Sequence, residues 1–267
     1  MEEYSIGTLE TDRASIRYFK AGKGERALVL IPGMGLHSAV PMAASVAAAY
    51  SMYLEEYTLW LFDRREDLPA GFTIREMAED EAEALEAAGI READVLGCSM
   101  GGMIGIVLAA EHPELVRQMT LASTLCCQNR LSRATFDRWI RLGEEGDAVA
   151  VNRDFAKRVY SPSYYEKYKP AFLQQESLGT PEEMRHFVAE AAACRGFDGR
   201  AELEKIRARV MVTGAWNDRV LSGKASVQIA SRIRCALYMD AESGHAAFDE
   251  APDFRKRLYD FFTKDNP

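Results

Sequence analysis

The chain has 267 residues, 48% hydrophobic and 28% charged, an ordinary globular composition that excludes a disordered or collagen-like protein. A net charge of −8 with no block of clustered Lys and Arg excludes the basic face that nucleic-acid binders use to neutralise phosphates. No run reaches the ~18 consecutive apolar residues of a membrane span.

The start, Met1-Glu2-Glu3-Tyr4, is acidic and lacks the basic flank and apolar core of a signal peptide. The cysteines (Cys98, Cys126, Cys127, Cys194, Cys235) form no Cys-x-x-Cys pair, so reduced thiols in a cytoplasmic protein are expected. The length allows one large domain or two modest ones.

In chain order, Ser15–Phe19 alternates polar and apolar residues, as an antiparallel strand with one solvated face does. Ala27–Ile31 is continuously apolar, like a strand buried on both faces, and stops at Pro32-Gly33. Leu59–Phe62 reads the same way and ends at Asp63-Arg64-Arg65, whose arginines are expected to be solvated loop charges or contacts to an anionic substrate. A helix follows over Ile74–Ala88: Ile74, Ala78, Ala82 and Leu85 recur at helical spacing, with Met77 beside them. Glu76, Glu79, Asp80 and Glu83 are expected on its solvated face, and Gly89 as its cap. Next come a strand at Asp94–Leu96, a Gly-rich turn, an apolar helix from about Met100 to Ala110, and a strand at Met119–Ala122.

Between Cys126 and Arg200 strand runs give way to charged helical segments, at Arg133–Leu142, Ala148–Tyr160, Ser163–Gln175 and Pro181–Cys194. Strands resume at Val210–Thr213 and Ala236–Met239, and an amphipathic helix spans Phe254–Phe262. Strands alternating with helices predict an α/β fold, a mostly parallel sheet with helices on both faces. Residues 1–125 and 201–267 would form the core, and 126–200 an all-helical cap inserted over one sheet edge.

The turn Gly97-Cys98-Ser99-Met100-Gly101-Gly102 follows a buried strand and opens a helix. A serine there sits on a tight, strained turn that lifts its hydroxyl above the sheet, and the flanking glycines let strand and helix approach. The helix N-terminus aims free N–H groups at the same point. Ser99 is therefore the candidate nucleophile. The Met100 N–H is one candidate oxyanion donor, and the Met34 N–H, in the loop Pro32-Gly33-Met34-Gly35, is the other.

Of the four histidines, His112 precedes Pro113 at a helix end and His186 lies within a cap helix, both positions suited to structural roles. His245, in Glu242-Ser243-Gly244-His245 after the last strand, is the candidate general base, because loops at strand C-termini converge where Ser99 lies. Asp218, in Gly214-Ala215-Trp216-Asn217-Asp218-Arg219-Val220, is the candidate orienting acid and completes the order Ser, Asp, His. The end of the preceding strand, Ala122-Ser123-Thr124, offers no carboxylate; Asp240 and Glu242 share the His loop, and Asp63 is expected to shape its own. His37, just beyond the oxyanion loop, and Trp139, among the cap aromatics, are candidate substrate contacts. No metal or organic cofactor is implied, since no His or Cys cluster has ligand spacing.

On Pro32–Gly35, Gly97–Gly102, Asp218-Arg219-Val220 and Gly244-His245, the chain resembles the α/β-hydrolase superfamily along nearly its whole length. Gly97–Gly105, His112–Val116 and the cap exit Ala193-Cys194…Phe197-Asp198-Gly199-Arg200 are similar to 3-oxoadipate enol-lactonases and related esterases. It departs from them in two places. His37-Ser38-Ala39-Val40 stands where they carry a Trp, and the acid loop is one residue longer, with Asn217 in the expected place; of the two only Asp218 carries charge. The resemblance implies a Ser-His-Asp hydrolase acting on a small-molecule ester or lactone through an acyl-enzyme. Thioesterase, C–C bond hydrolase and cofactor-free perhydrolase activities on the same scaffold are the alternatives, as is a ligand receptor that retains the triad.

Overall fold

A computed structural model describes residues 4–69, 71–175 and 179–264. The strands are β1 (Tyr4–Glu10), β2 (Ser15–Ala21), β3 (Arg26–Ile31), β4 (Tyr57–Phe62), β5 (Ala93–Cys98), β6 (Val116–Ala122), β7 (Arg209–Ala215) and β8 (Ala236–Asp240). Among the described residues they form one sheet of order β1-β2-β4-β3-β5-β6-β7-β8. The β1–β2 and β2–β4 pairs are antiparallel, and every other neighbouring pair is parallel.

The helices are α1 (Ala43–Ala49), α2 (Ile74–Ala87), α3 (Met100–Glu111), α4 (Arg130–Glu144), α5 (Ala148–Val159), α6 (Pro162–Gln175), α7 (Pro181–Gly196), α8 (Arg200–Leu203), α9 (Gly223–Ile233), α10 (Ala247–Glu250) and α11 (Phe254–Thr263). Two apolar cores lie on opposite faces of the sheet. Leu28 and Leu30 of β3 join one, with α1 and α11; Val29 and Ile31 join the other, with α2, α3 and α9. Burial on both faces is what makes β3 read as an unbroken apolar run.

Helix α2 starts at a capping box, in which Thr73 Oγ1 accepts from the Glu76 N–H and Glu76 accepts from the Thr73 N–H. It ends at Gly89, whose φ of +75° suits the reversal past the last turn. Its expected solvated face needs one correction: Asp80 is buried, because Arg13 reaches across from the β1–β2 turn and donates to its carboxylate at 2.7 Å. The solvated reading of Arg64 and Arg65 is corrected likewise, their side chains only 13% exposed and held by Glu81 and by Asp67 and Asp80.

Helices α4 to α7 intervene between β6 and β7. The two ends of this insertion meet, with the Gly199 N–H donating to the Cys126 carbonyl at 2.8 Å and Cys127 bridging Asp198. Inside, Trp139 packs among Phe136, Phe155 and Phe187. Among the described residues, five of the strands and α-helices fall outside the sequence expectations, the short α8 and α10 and three more. β1 is mostly exposed and shows little apolar alternation, and α1 is an alanine-rich stretch without a strong stripe. The third, α9, begins after Ser222 in a positive-φ turn.

Candidate active site

Ser99 caps α3 at the end of β5 with φ +52° and ψ −115°, a conformation an L-residue holds only when its surroundings impose it. Four hydrogen bonds do so. The Ser99 N–H donates to the Ala122 carbonyl at 2.9 Å, and the Ser99 carbonyl accepts from Thr124 Oγ1 at 2.7 Å, the Gly102 N–H at 3.0 Å and the Met103 N–H at 3.3 Å. The glycines are required by proximity: a Cβ on Gly97 would lie 2.6 Å from the Gly101 carbonyl oxygen, and one on Gly101 only 1.9 Å from the Ile31 carbonyl oxygen. Ordinary residues would push β3, β5 and α3 apart.

His245 follows β8 and lies between the other two members. Its Nε2 is 2.8 Å from Ser99 Oγ, and its Nδ1 2.8 Å from Asp218 Oδ2. Asp218, beyond β7, accepts at Oδ1 from the Val220 N–H at 2.7 Å and the Leu221 N–H at 2.8 Å. All three residues are buried. Burial opposes the Asp218 charge, but His245 and the two backbone donors outweigh it and hold the carboxyl below the ordinary range. An ionised Asp218 fixes the proton on Nδ1 and leaves Nε2 free to accept from the Ser99 hydroxyl.

Asn217, the alternative in the acid loop, instead donates to the Ala241 carbonyl at 2.7 Å and ties that loop to the one carrying His245. Asp240 accepts from the Glu242 and Ser243 N–H groups, and Asp63 from the Ala39 N–H and Ser38 hydroxyl, so both shape loops.

The loop after β3 runs beside Ser99, so close that a Cβ on Gly33 would meet Ser99 Cβ at 3.2 Å. Met100 opens α3, where the helical ladder has no use for its N–H. Among the described residues, no hydrogen bond outside the regular ladders uses the Met34 or Met100 N–H.

The next N–H along, that of Gly35, donates at 3.2 Å to Glu190 of α7, a contact the sequence expectations omit. Its one signal was a lone carboxylate in the stretch Val188-Ala189-Glu190-Ala191-Ala192. Burial pushes Glu190 up to about 7 despite nearby Arg64 and the Gly35 donor. A cavity of about 430 Å³ opens here, lined by Gly33, Gly35, His37, Arg64, His186 and Glu190.

His37 is on that wall, with Nδ1 2.8 Å from Glu183 Oε1 of α7. His186, expected to be structural, reaches the same wall, while His112 sits at the helix boundary beside Glu79. Trp139 corrects its expected role. It is only 1% exposed, and its indole N–H is spent on Asp154 at 3.0 Å, so it builds the insertion's core and offers no open surface to substrate.

A family model described as the alpha/beta hydrolase fold matches residues 26–252. A relative from Azorhizobium caulinodans, named "Putative carbamate hydrolase RutD", is 27% identical over 254 residues, covering 91% of this chain and 94% of its own. Among solved structures, the enol-lactonase from Burkholderia xenovorans superposes with a TM-score of 0.81 at 19% identity, over 97% of this chain and 100% of that one. An esterase from Exiguobacterium antarcticum gives 0.82 at 19% identity, over 96% and 99%.

Proposed function

Because the chain belongs to the α/β-hydrolase fold family, we propose that it is a serine hydrolase cleaving a carboxylic ester or lactone through an acyl-enzyme. The observation that carries this is the unbroken hydrogen-bonded chain from Ser99 through His245 to Asp218, mounted on a strained strand–helix turn. His245 Nε2 takes the Ser99 proton as Oγ attacks the carbonyl carbon, and negative charge moves to the carbonyl oxygen. The Met34 and Met100 N–H groups stabilise that oxygen. His245 returns the proton to the leaving alkoxide, and Asp218 stabilises the imidazolium between the two transfers without accepting its proton. Water, deprotonated by His245, then attacks the acyl carbon and regenerates Ser99.

Residues 126–200 act as the cap, with His37 a substrate contact on the cavity wall. The unpaired state of the five cysteines supports a reducing, cytoplasmic setting.

The test is turnover of a panel of p-nitrophenyl esters, lactones, thioesters and carbamates, beside labelling by a fluorophosphonate. Expected are ester or lactone turnover and one labelled site, both lost in Ser99→Ala. Wild-type protein that neither turns over the panel nor takes the label would overturn the reading. The carbamates are included because the Azorhizobium relative is named for them.

A further inference from the structure

The last turn of α5 leaves carbonyls that the helix itself cannot satisfy. Their partners are the immediate neighbours of the two residues that align Ser99. Arg219, next to Asp218, donates to the Lys157 carbonyl at 2.5 Å and the Tyr160 carbonyl at 2.6 Å. The Ala246 N–H, next to His245 on the other loop, donates to the Val159 carbonyl at 2.9 Å. Glu250 of α10 bridges the same two parts, one oxygen accepting from the Ser161 N–H at 2.9 Å and the Gly244 N–H at 3.1 Å. Contact is so close that a Cβ on Gly244 would lie 2.6 Å from the Ser161 nitrogen and 2.7 Å from the Tyr160 carbonyl carbon.

These bonds are formed across a long gap in sequence. The insertion contributes only backbone groups, all within the corner from Lys157 to Ser161. The core contributes the Arg219 guanidinium, next to Asp218, the Ala246 N–H, next to His245, and the Glu250 carboxylate, which also holds the Gly244 N–H on the other side of His245. A cationic guanidinium at the negative end of α5 adds a favourable charge–dipole contact. The corner is thus a splint on both loops, and a shift of its position would move the imidazole relative to Ser99. Separations of 2.8 Å on both sides of the ring leave little room for that.

We propose that the α5–α6 corner positions the Asp218–His245 pair, with Glu250 and Arg219 as positioning residues that couple seating of the helical insertion to competence of the triad. This rests on the serine-hydrolase reading for its kinetic consequence, but the alignment itself has a separate signature. A proton held between His245 Nδ1 and Asp218 gives a far-downfield proton resonance, which Asp218→Asn identifies by its loss.

The experiment compares Glu250→Ala, Arg219→Met and Glu250→Gln in the full chain. Glu250→Ala and Arg219→Met should lower kcat by about tenfold or more, with KM changed by less than about threefold, and should broaden or abolish the resonance. Glu250→Gln, whose amide oxygen still accepts from both N–H groups, should recover most of the rate and the resonance. Asp94→Ala, a destabilising change at the N-terminal end of β5, the far end of the strands from the triad, should lower the melting temperature and leave kcat and the resonance in place.

Glu250→Ala and Arg219→Met behaving like Asp94→Ala would overturn the proposal. Should either fail to fold, the other carries the test. Loss of the resonance in the variants of a protein whose wild type neither turns over the panel nor takes the fluorophosphonate label would keep the positioning role and refute the hydrolase reading. Turnover and resonance both retained in the variants would do the reverse.

Discussion

Gly101→Ala puts a methyl group where β3 passes under the start of α3. Its Cβ would lie 1.9 Å from the Ile31 carbonyl oxygen and 2.7 Å from the Pro32 carbonyl oxygen, against an ordinary contact of 3.4 Å or more. Both obstacles are backbone, so no side chain can swing away; the end of β3 and the first turn of α3 must separate by about 1.5 Å. That displacement falls between the two N–H groups assigned to the oxyanion, since Met34 follows Pro32 by two residues and Met100 precedes Gly101. Misplacement by ~1 Å costs about 10²-fold in rate, and loss of one oxyanion donor about 10²–10³-fold.

The expected result is a fall in kcat of about 10²-fold with a smaller change in KM, measured on a p-nitrophenyl ester. Overpacking should also cost about 1–3 kcal/mol of stability in urea unfolding. Gly105→Ala is the control on the same helix. Its Cβ would meet the tip of Met119 at 3.1 Å, the end of a flexible side chain, and Leu121 Cδ2 at an ordinary 4.0 Å, with no backbone in the way. It should leave kcat unchanged and hold or raise the melting temperature, because alanine favours a helix interior by about 1 kcal/mol over glycine. A folded Gly101→Ala enzyme within threefold of wild-type kcat would refute the placement of the oxyanion site between β3 and α3.

Asp218→Asn preserves shape but removes the charge that fixes the His245 tautomer; kcat should fall by about 10⁴-fold, read from ester turnover at saturating substrate. Glu190→Gln tests the buried α7 carboxyl that accepts from the Gly35 N–H. Its folded pKa, about 7, is raised above the unfolded value of 4.5, so wild-type stability falls as pH rises between those values and levels off above them. Urea unfolding should therefore show the variant gaining on wild type by up to about 3 kcal/mol between pH 4.5 and pH 8. A difference independent of pH would show that Glu190 is not protonated in the folded protein near neutrality. Asp94→Ala strips the partner from the Tyr57 hydroxyl and the Arg26 and Arg117 guanidiniums at the N-terminal ends of the strands. It should cost about 3–5 kcal/mol in urea unfolding, while kcat at a permissive temperature stays unchanged.

Much of the fold was legible because burial writes itself into local pattern. β3 and β4, apolar on both faces, and the stripe of α2 were found where they lie. The turn around Ser99 was legible for a different reason: a serine on a strained strand–helix elbow needs glycines at fixed offsets, and that steric demand is local. The order Ser99, Asp218, His245 followed from which loops leave the C-terminal ends of strands. Pattern was silent where burial depends on a distant partner. Asp80 looks like any solvated acid until Arg13 arrives from another turn, Arg64 and Arg65 like any loop charges until Glu81, Asp67 and Asp80 surround them, and Trp139 like a ligand contact until three phenylalanine rings enclose it.

By itself, then, the sequence determined which residues have the chemistry and the local geometry to attack a carbonyl, because both depend on residue identity within a few positions. Charge favoured Asp218 over Asn217 in the sequence, and the tertiary structure decided that Asp218 meets His245 while Asn217 turns to the Ala241 carbonyl. It also decided that Glu190 holds the loop after β3 and that the end of α5 bonds to the neighbours of Asp218 and His245. These contacts join backbone N–H and carbonyl groups far apart in the chain, and such groups are present at nearly every residue, so no sequence pattern marks the few that pair.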